Sequence, residues 1–430
     1  MKILIVSTSD IEGGAAKAAY RLHKALIEHG VDSKMLVQSK KSDDFTVITL
    51  TSQMMKKLTK NYPILTSFFE NSKSFYRSIF DSVPILLYKN RSKTIFSPSW
   101  LPFSGFINRI NEIKPDIVHL HWVCAGMFRI EDLKKIKVPL VLSMHDNWAY
   151  TGGCHIKWEC EKYKNSCGAC PRLGSKKEND ISRKIWKRKQ KIFKTIPKMI
   201  IVGLSSWIFN CASKSSLFKE SKIVNLPNLI DTKIFKVYDK NIARDLWNLA
   251  KDKKFILFGA MSATSDINKG YKQLYESLKL IQNNDVELVI FGSSKPNDDE
   301  NHSFPTHYLG QLNDEISLLT IYNAVDLTVV PSLEENLSNV IMESLSCGTP
   351  VVAFDIGGNS DLVEHRRNGY LANPYDCEDL ARGIDWVLCN SNYQELAKNA
   401  RDKVLKYFDS KLVVEKYIKL YKELLEKQSD

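Results

Sequence analysis

Short apolar runs alternate with longer stretches of helical spacing along most of the chain. Lys2 to Ser7, Ser33 to Val37, Asp116 to Leu120, Leu140 to Met144 and Met199 to Val202 read as strands. Amphipathic stretches such as Ala15 to His29 lie between them. The series restarts at Phe255 to Gly259 and continues through Glu287 to Phe291, Leu327 to Val330 and Pro350 to Phe354. Such alternation predicts an α/β fold built on doubly wound parallel sheets, and the restart predicts a second domain. A final helical stretch, Asp409 to Lys427, carries apolar residues at Leu412, Val413, Tyr417, Leu420, Tyr421 and Leu424.

The segment from Pro331 to Val352 carries the most chemistry. Its apolar strand ends at Pro331, helical spacing resumes at Leu337, Ile341 and Leu345, and Gly348 with Pro350 ends that helix. Glu335 therefore precedes the helix and Glu343 lies inside it. A ligand on the helix N-terminus meets backbone N–H groups and the positive end of the dipole, and two carboxylates supply acceptors for hydroxyls. That combination suits a nucleotide sugar. On spacing alone, a solvated helix with two surface glutamates fits equally well.

This segment, continued by Gly357-Gly-Asn-Ser-Asp361-Leu-Val-Glu364 and Asn368-Gly-Tyr-Leu371, resembles the donor-site signature of the retaining, family-four (group 1) glycosyltransferases. The likeness runs from Met1-Lys-Ile-Leu-Ile-Val-Ser, with Gly13-Gly14, to the C-terminal helix, and is densest in the second half. It implies the GT-B architecture, two facing Rossmann-like domains with an interdomain cleft. Leu226 to Phe235 resembles the family's interdomain segment, giving an acceptor-side domain over 1–228, a nucleotide-sugar domain over 229–408 and a helix over 409–430 that returns to the first domain. The implied reaction moves a hexose from a nucleotide-diphosphate donor, a UDP-sugar being favoured by the family, to a hydroxyl of a glycan or lipid-linked glycan in surface polysaccharide synthesis. Neither base nor sugar is readable from the sequence.

The same resemblance assigns Glu335 to the transferred sugar, Glu343 to the ribose and Lys269 to the diphosphate. Gly259, Lys269 and Gly270 resemble the family's phosphate-binding segment, although Ala260 stands where many members have arginine. Asn336, Leu337, Ser338 and Asn339 replace the glycines common before the helix, so Ser338 and Asn339 are candidate side-chain contacts to the donor. Amides and Lys269 suffice for the phosphates, so no catalytic divalent metal is expected.

In the first half, Gly13 and Gly14 follow a strand and precede a helix, where missing side chains admit a ligand or simply make a tight turn. By resemblance they sit at the sugar end of the site. His145 ends a strand, the position that faces a crevice in an open sheet. In similar enzymes the histidine at this point lies beside the donor sugar, so His145 is the third catalytic candidate beside Glu335 and Lys269. Asp146 either holds His145 or caps a turn. His119 and His121 share one side of a strand, as a metal pair or as packed, hydrogen-bonded residues.

Cys154, Cys160, Cys167 and Cys170 lie in a loop at 152–171 that ends in a Cys-x-x-Cys knuckle. A structural zinc site is the first expectation, with packed free thiols or disulfides as alternatives.

With 430 residues, 43% of them hydrophobic and 10% aromatic, the chain is expected to be globular. No run of 18 uncharged apolar residues occurs and the first apolar stretch is too short for a signal peptide, so a cytoplasmic protein is expected. The net charge of +12 is concentrated in two windows: residues 51–100 hold eight basic against two acidic residues, and residues 173–198 hold ten against two. Both interleave charge with aromatics, including Phe68, Phe69, Phe75, Tyr76 and Trp186. This suits peripheral attachment to an anionic membrane surface on the inner face of the cell membrane, or a basic solvated face. No nucleic-acid recognition motif accompanies them, and nucleic acid is not an expected partner. Two other functions fit parts of the pattern: a zinc-stabilised protein that binds anionic polymer or membrane, and a nucleotide-sugar epimerase of similar fold.

Overall fold

A computed structural model describes residues 1–50, 74–196, 198–282, 285–293 and 304–426. The part of the first basic window that holds Phe68 and Phe69 lies outside these. The chain forms two compact units, Met1–Pro227 with the chain from Val414 onward, and Asn228–Val413.

The first unit is built on a seven-stranded parallel sheet in the order β3-β2-β1-β4-β5-β6-β7. The strands are β1 (Lys2–Ser9), β2 (Asp32–Ser39), β3 (Val47–Ile48), β4 (Ile117–Leu120), β5 (Leu140–Met144), β6 (Met199–Gly203) and β7 (Lys222–Asn225). Ile3, Leu4, Ile5 and Val6 of β1 are all fully buried, as expected for a central strand covered on both faces. Strand order reverses between β1 and β4, so the connections leaving them diverge at their carboxyl ends.

The second unit repeats the plan with six parallel strands in the order β10-β9-β8-β11-β12-β13. These are β8 (Lys254–Gly259), β9 (Val286–Phe291), β10 (Thr306–Tyr308), β11 (Leu327–Val330), β12 (Val351–Phe354) and β13 (Gly369–Ala372). Here the reversal falls between β8 and β11. Gly259 closes β8, where an added Cβ would lie 1.9 Å from the Phe291 ring, so packing against β9 already demands glycine. A buried ion pair anchors the sheet: Arg244 meets Asp326 at 2.8 Å, and Asp326 also accepts the Phe255 N–H at 2.7 Å. Such a pair is favourable only because its remaining polar atoms are also bonded.

The helix Ser410–Glu426 begins in the second unit and finishes in the first. Tyr421, fully buried, hydrogen-bonds the fully buried His119 of β4 at 2.7 Å, and the Tyr417 hydroxyl donates to the Leu226 carbonyl at 3.3 Å. Among the described residues no helix is long and apolar enough to cross a membrane.

Candidate functional site

In the second unit the two loops that leave the reversal point carry the predicted residues. After β8 the chain enters a short 3-10 turn, Ile267–Lys269, capped by the Asp266 side chain on the Asn268 N–H. After β11 it passes Glu335 and enters the helix Asn339–Ser346, whose N-cap is Ser338. Lys269 Nζ lies 3.2 Å from Glu335 Oε2, joining the two loops. The Glu335 carboxylate, outweighing partial burial, raises the Lys269 pKa above its ordinary value.

Each loop is fastened independently of that ion pair. Asn268 donates from Nδ2 to the Glu334 carbonyl at 2.8 Å and accepts the Leu333 N–H at its own carbonyl at 2.8 Å. The Gly358 N–H donates to the Glu335 carbonyl at 3.1 Å. Gly357 (φ +55°) packs so closely on the same carbonyl that a Cβ would sit 1.8 Å from the oxygen. Gly270 (φ +74°) is likewise pressed on the Pro331 carbonyl. Asn268 was invisible as a site residue in the sequence, because nothing local distinguishes a polar residue that ties two loops from one in solvent.

Glu343 is buried, 3% exposed, and accepts from the Tyr322 hydroxyl at 2.9 Å. It is not the solvated surface residue that spacing alone allowed. Ser338 uses its Oγ to accept the Ile341 N–H at 3.3 Å, so its first role is capping, and Asn339 is the first residue of the helix. Glu364 pairs with Lys403 at 2.9 Å and Arg367 at 3.0 Å.

In the first unit Gly13 adopts φ +92° and caps the helix Gly14–Glu28 directly after β1. His145 follows β5 and shares a hydrogen bond of 2.8 Å between its Nε2 and His121 Nδ1. Burial lowers its pKa to about 4, and His119, two residues before His121, falls to about 3 for the same reason. Neutral imidazoles result. His119 spends both ring nitrogens on hydroxyls, of Tyr421 and of Ser143 at 2.8 Å, so it packs and hydrogen-bonds rather than serving in a metal pair. Asp146 accepts from His155 Nδ1 at 2.6 Å, the Trp122 indole at 2.7 Å and the Trp148 N–H at 2.8 Å. Burial opposes its charge, but these donors hold its pKa below the usual carboxylate value. These bonds tie it to His155 of the cysteine loop and to Trp122 and Trp148, and not to His145.

The zinc expectation finds no support in the arrangement of the cysteines. Cys154, Cys160, Cys167 and Cys170 are all free thiols and line one small cavity of about 20 Å³. Among the described residues, no group of three or more His, Cys, Asp or Glu is arranged to hold a metal ion. Burial pushes the Cys167 thiol up to about 12, which favours the protonated form. The loop is clipped by other means. Lys189, fully buried, donates to the carbonyls of Trp148 and Thr151 and lies 3.8 Å from the Trp148 ring centre. Asp180 accepts the Cys170 N–H at 2.8 Å.

A larger cavity of about 640 Å³ opens among Trp186, Phe193, Met199, Leu217 and Lys222. Its lining residues all belong to the first unit.

Two parallel-sheet Rossmann-like domains, each with its predicted ligand residues on loops leaving the sheet, define the GT-B class. Residues 239–403 match the family model described as glycosyl transferases group 1. An uncharacterized glycosyltransferase of Methanocaldococcus jannaschii is 25% identical over 76% of this chain and 88% of its own length. A chain of Escherichia coli assigned to colanic acid biosynthesis, the glycosyl transferase WcaC, is 24% identical over 82% of this chain and 83% of its own. Among solved structures, HepE of Anabaena in complex with UDP and glucose superimposes with a TM-score of 0.64 at 16% identity, covering 98% of this chain and 99% of that one. The chain is thus similar to group 1 glycosyltransferases over residues 239–403, and one of these relatives is assigned to polysaccharide biosynthesis.

Proposed function

We propose that the protein is a retaining glycosyltransferase that moves a sugar from a nucleotide diphosphate, with UDP as the favoured nucleotide, to a hydroxyl of a glycan carried on a lipid. The observation that carries this reading is the Lys269–Glu335 ion pair at the strand-order reversal, beside the N-terminus of the helix Asn339–Ser346. When a donor binds, its diphosphate competes for Lys269 and meets the N-terminus of that helix, and the transferred sugar takes over Glu335 as a hydroxyl acceptor. Glu343, deeper in the same helix, receives the ribose hydroxyls.

The chemical step rests on the leaving group. As the sugar–phosphate bond breaks, negative charge builds on the diphosphate, and a lysine and helix dipole already in place stabilise it without reorganisation. His145 is neutral near pH 7 and assists by orienting a hydroxyl of the sugar or acceptor rather than by charge. The acceptor hydroxyl then attacks from the face the diphosphate leaves and passes its proton to the departing phosphate oxygen, which preserves the anomeric configuration.

A panel of nucleotide sugars tested by thermal stabilisation identifies the donor, since a ligand stabilises the fold that binds it. The reading requires saturable stabilisation that weakens in Glu343→Ala. NMR of the product linkage decides the stereochemistry, and an inverted anomer would end the retaining assignment.

A further inference from the structure

Residues 74–82 form a helix, followed by a 3-10 turn at Val83–Ile85, that is built inside out. Its polar residues face the protein. Arg77 Nε donates to the Gly126 carbonyl at 2.8 Å, and buried Asp81 accepts the N–H groups of Ser99 and Trp100 at 3.3 and 3.1 Å. The Trp100 indole donates to the Asp81 carbonyl at 3.1 Å, and Ile85 completes the inner side. These three positions, 77, 81 and 85, recur every fourth residue and fix which side of the helix points inward.

The opposite side is apolar and in solvent. Phe75, Tyr76, Ile79 and Phe80, then Val83, fall within about 140° of arc at 100° per residue, and all are exposed. Leu86 and Leu87 extend the face, Leu87 at 86% exposure, and Phe103 beside Trp100 reaches 92%. A contiguous face of this size on a soluble molecule marks a contact with something apolar. Charge says what kind. From Ser82 to Asn111 the chain carries Lys89, Arg91, Lys93 and Arg109 and no acidic residue, and Lys89, Arg91 and Lys93 are exposed.

We propose that this face is the element by which the enzyme lies on an anionic phospholipid surface, its aromatic and aliphatic side chains entering the interface and the lysines and Arg91 meeting the headgroups. It rests on the reading that the acceptor is lipid-carried, and names the partner that reading leaves open. In the second basic window Lys176, Lys177, Lys184, Lys187 and Lys191 are exposed, while other basic residues are engaged within the protein. Arg188 is engaged by Glu131 at 2.6 Å, Arg183 by Glu178 at 2.8 Å, and Lys189 is buried.

The test compares the full chain with Phe80→Ser/Leu87→Ser, two exposed positions whose replacement leaves the core untouched. Cosedimentation with phosphatidylglycerol-containing vesicles, and with phosphatidylcholine alone, reads binding, and light scattering reads oligomeric state. The expected result is binding to the anionic vesicles only, weakened roughly tenfold or more in the variant. Equal binding by the variant, or no binding by the parent, overturns the proposal. So does a concentration-dependent dimer abolished by the same substitutions, which would make a second copy the occupant. Donor-induced thermal stabilisation, measured on both proteins, separates the two readings: its absence with vesicle binding intact removes the transferase reading and leaves the membrane face standing.

Discussion

Lys269 Nζ stands 3.2 Å from Glu335 Oε2 across the two loops that leave β8 and β11. The cation expected to bind a diphosphate is thus held by the carboxylate expected to bind the sugar. The carboxylate favours the charged form of Lys269, and the ion pair ties the two side chains together.

Removing the two partners should therefore have different results. Lys269→Ala takes away the diphosphate's cation and leaves a half-buried carboxylate in its place, and we expect turnover to fall about 10²- to 10³-fold. Glu335→Gln keeps Lys269, so UDP should still bind while the added affinity of the intact nucleotide sugar is lost. Calorimetric titration of both variants with UDP and with the donor checks this. Equal losses for both ligands in Glu335→Gln would take the sugar contact away from Glu335.

Gly357→Ala should damage the site without touching a ligand. A Cβ there meets the Glu335 carbonyl at 1.8 Å, and φ +55° adds strain. Glu335 must shift, and a displacement of about 1 Å at a positioning group costs on the order of 10² in rate. Steady-state kinetics beside a melting curve separates this from unfolding. Unchanged kcat/KM would show that Glu335 does not depend on the glycine loop.

Stability of the first unit should fall in mild acid. His119 titrates near 3 when folded against 6.5 as its ordinary value, so between those values the unfolded chain binds the extra proton. The resulting stabilisation is complete above pH 6.5 and is lost as pH drops below it, by roughly 2 kcal/mol at pH 5 for this one residue. His145, lowered to about 4, acts in the same direction. Urea midpoints at pH 7 and 5 should differ accordingly, and His119→Gln should flatten the difference. A parent protein equally stable at both values would contradict the buried neutral state.

The cysteine loop should be indifferent to chelators. Its thiols are free and its fold rests on Lys189, Asp180 and Asp146. Dialysis against a chelator should leave Tm unmoved, and iodoacetamide should label exposed Cys389 well before buried Cys154 and Cys170. A Tm drop with release of about one zinc would restore the four-sulfur site.

Much of this molecule was legible in its sequence because local signals agree with the fold. Ile3 to Val6 or Val351 to Phe354 are uniformly apolar, and strands covered on both faces must be. Glu335 ahead of a helix and Glu343 within it followed from Pro331, Gly348 and the spacing between them. What escaped depends on distant partners. Four cysteines at zinc-like spacing say nothing of the buried Lys189 that holds their loop, and Ser338 reads alike as a ligand contact or a cap. The inside-out helix at 74–82 was visible only as a mixture of aromatics and basic residues, since sequence does not reveal that Asp81 turns inward to meet Ser99 and Trp100.

The bond between His119 and Tyr421 spans 302 positions. On the ribosome, the nascent first unit would expose a central strand with its histidine uncovered while the whole second unit is being translated, and only then would the closing helix arrive. A premature stop a few codons before Tyr421 should thus yield a polypeptide whose amino-terminal half, not its carboxy-terminal one, becomes the substrate of chaperones and proteases.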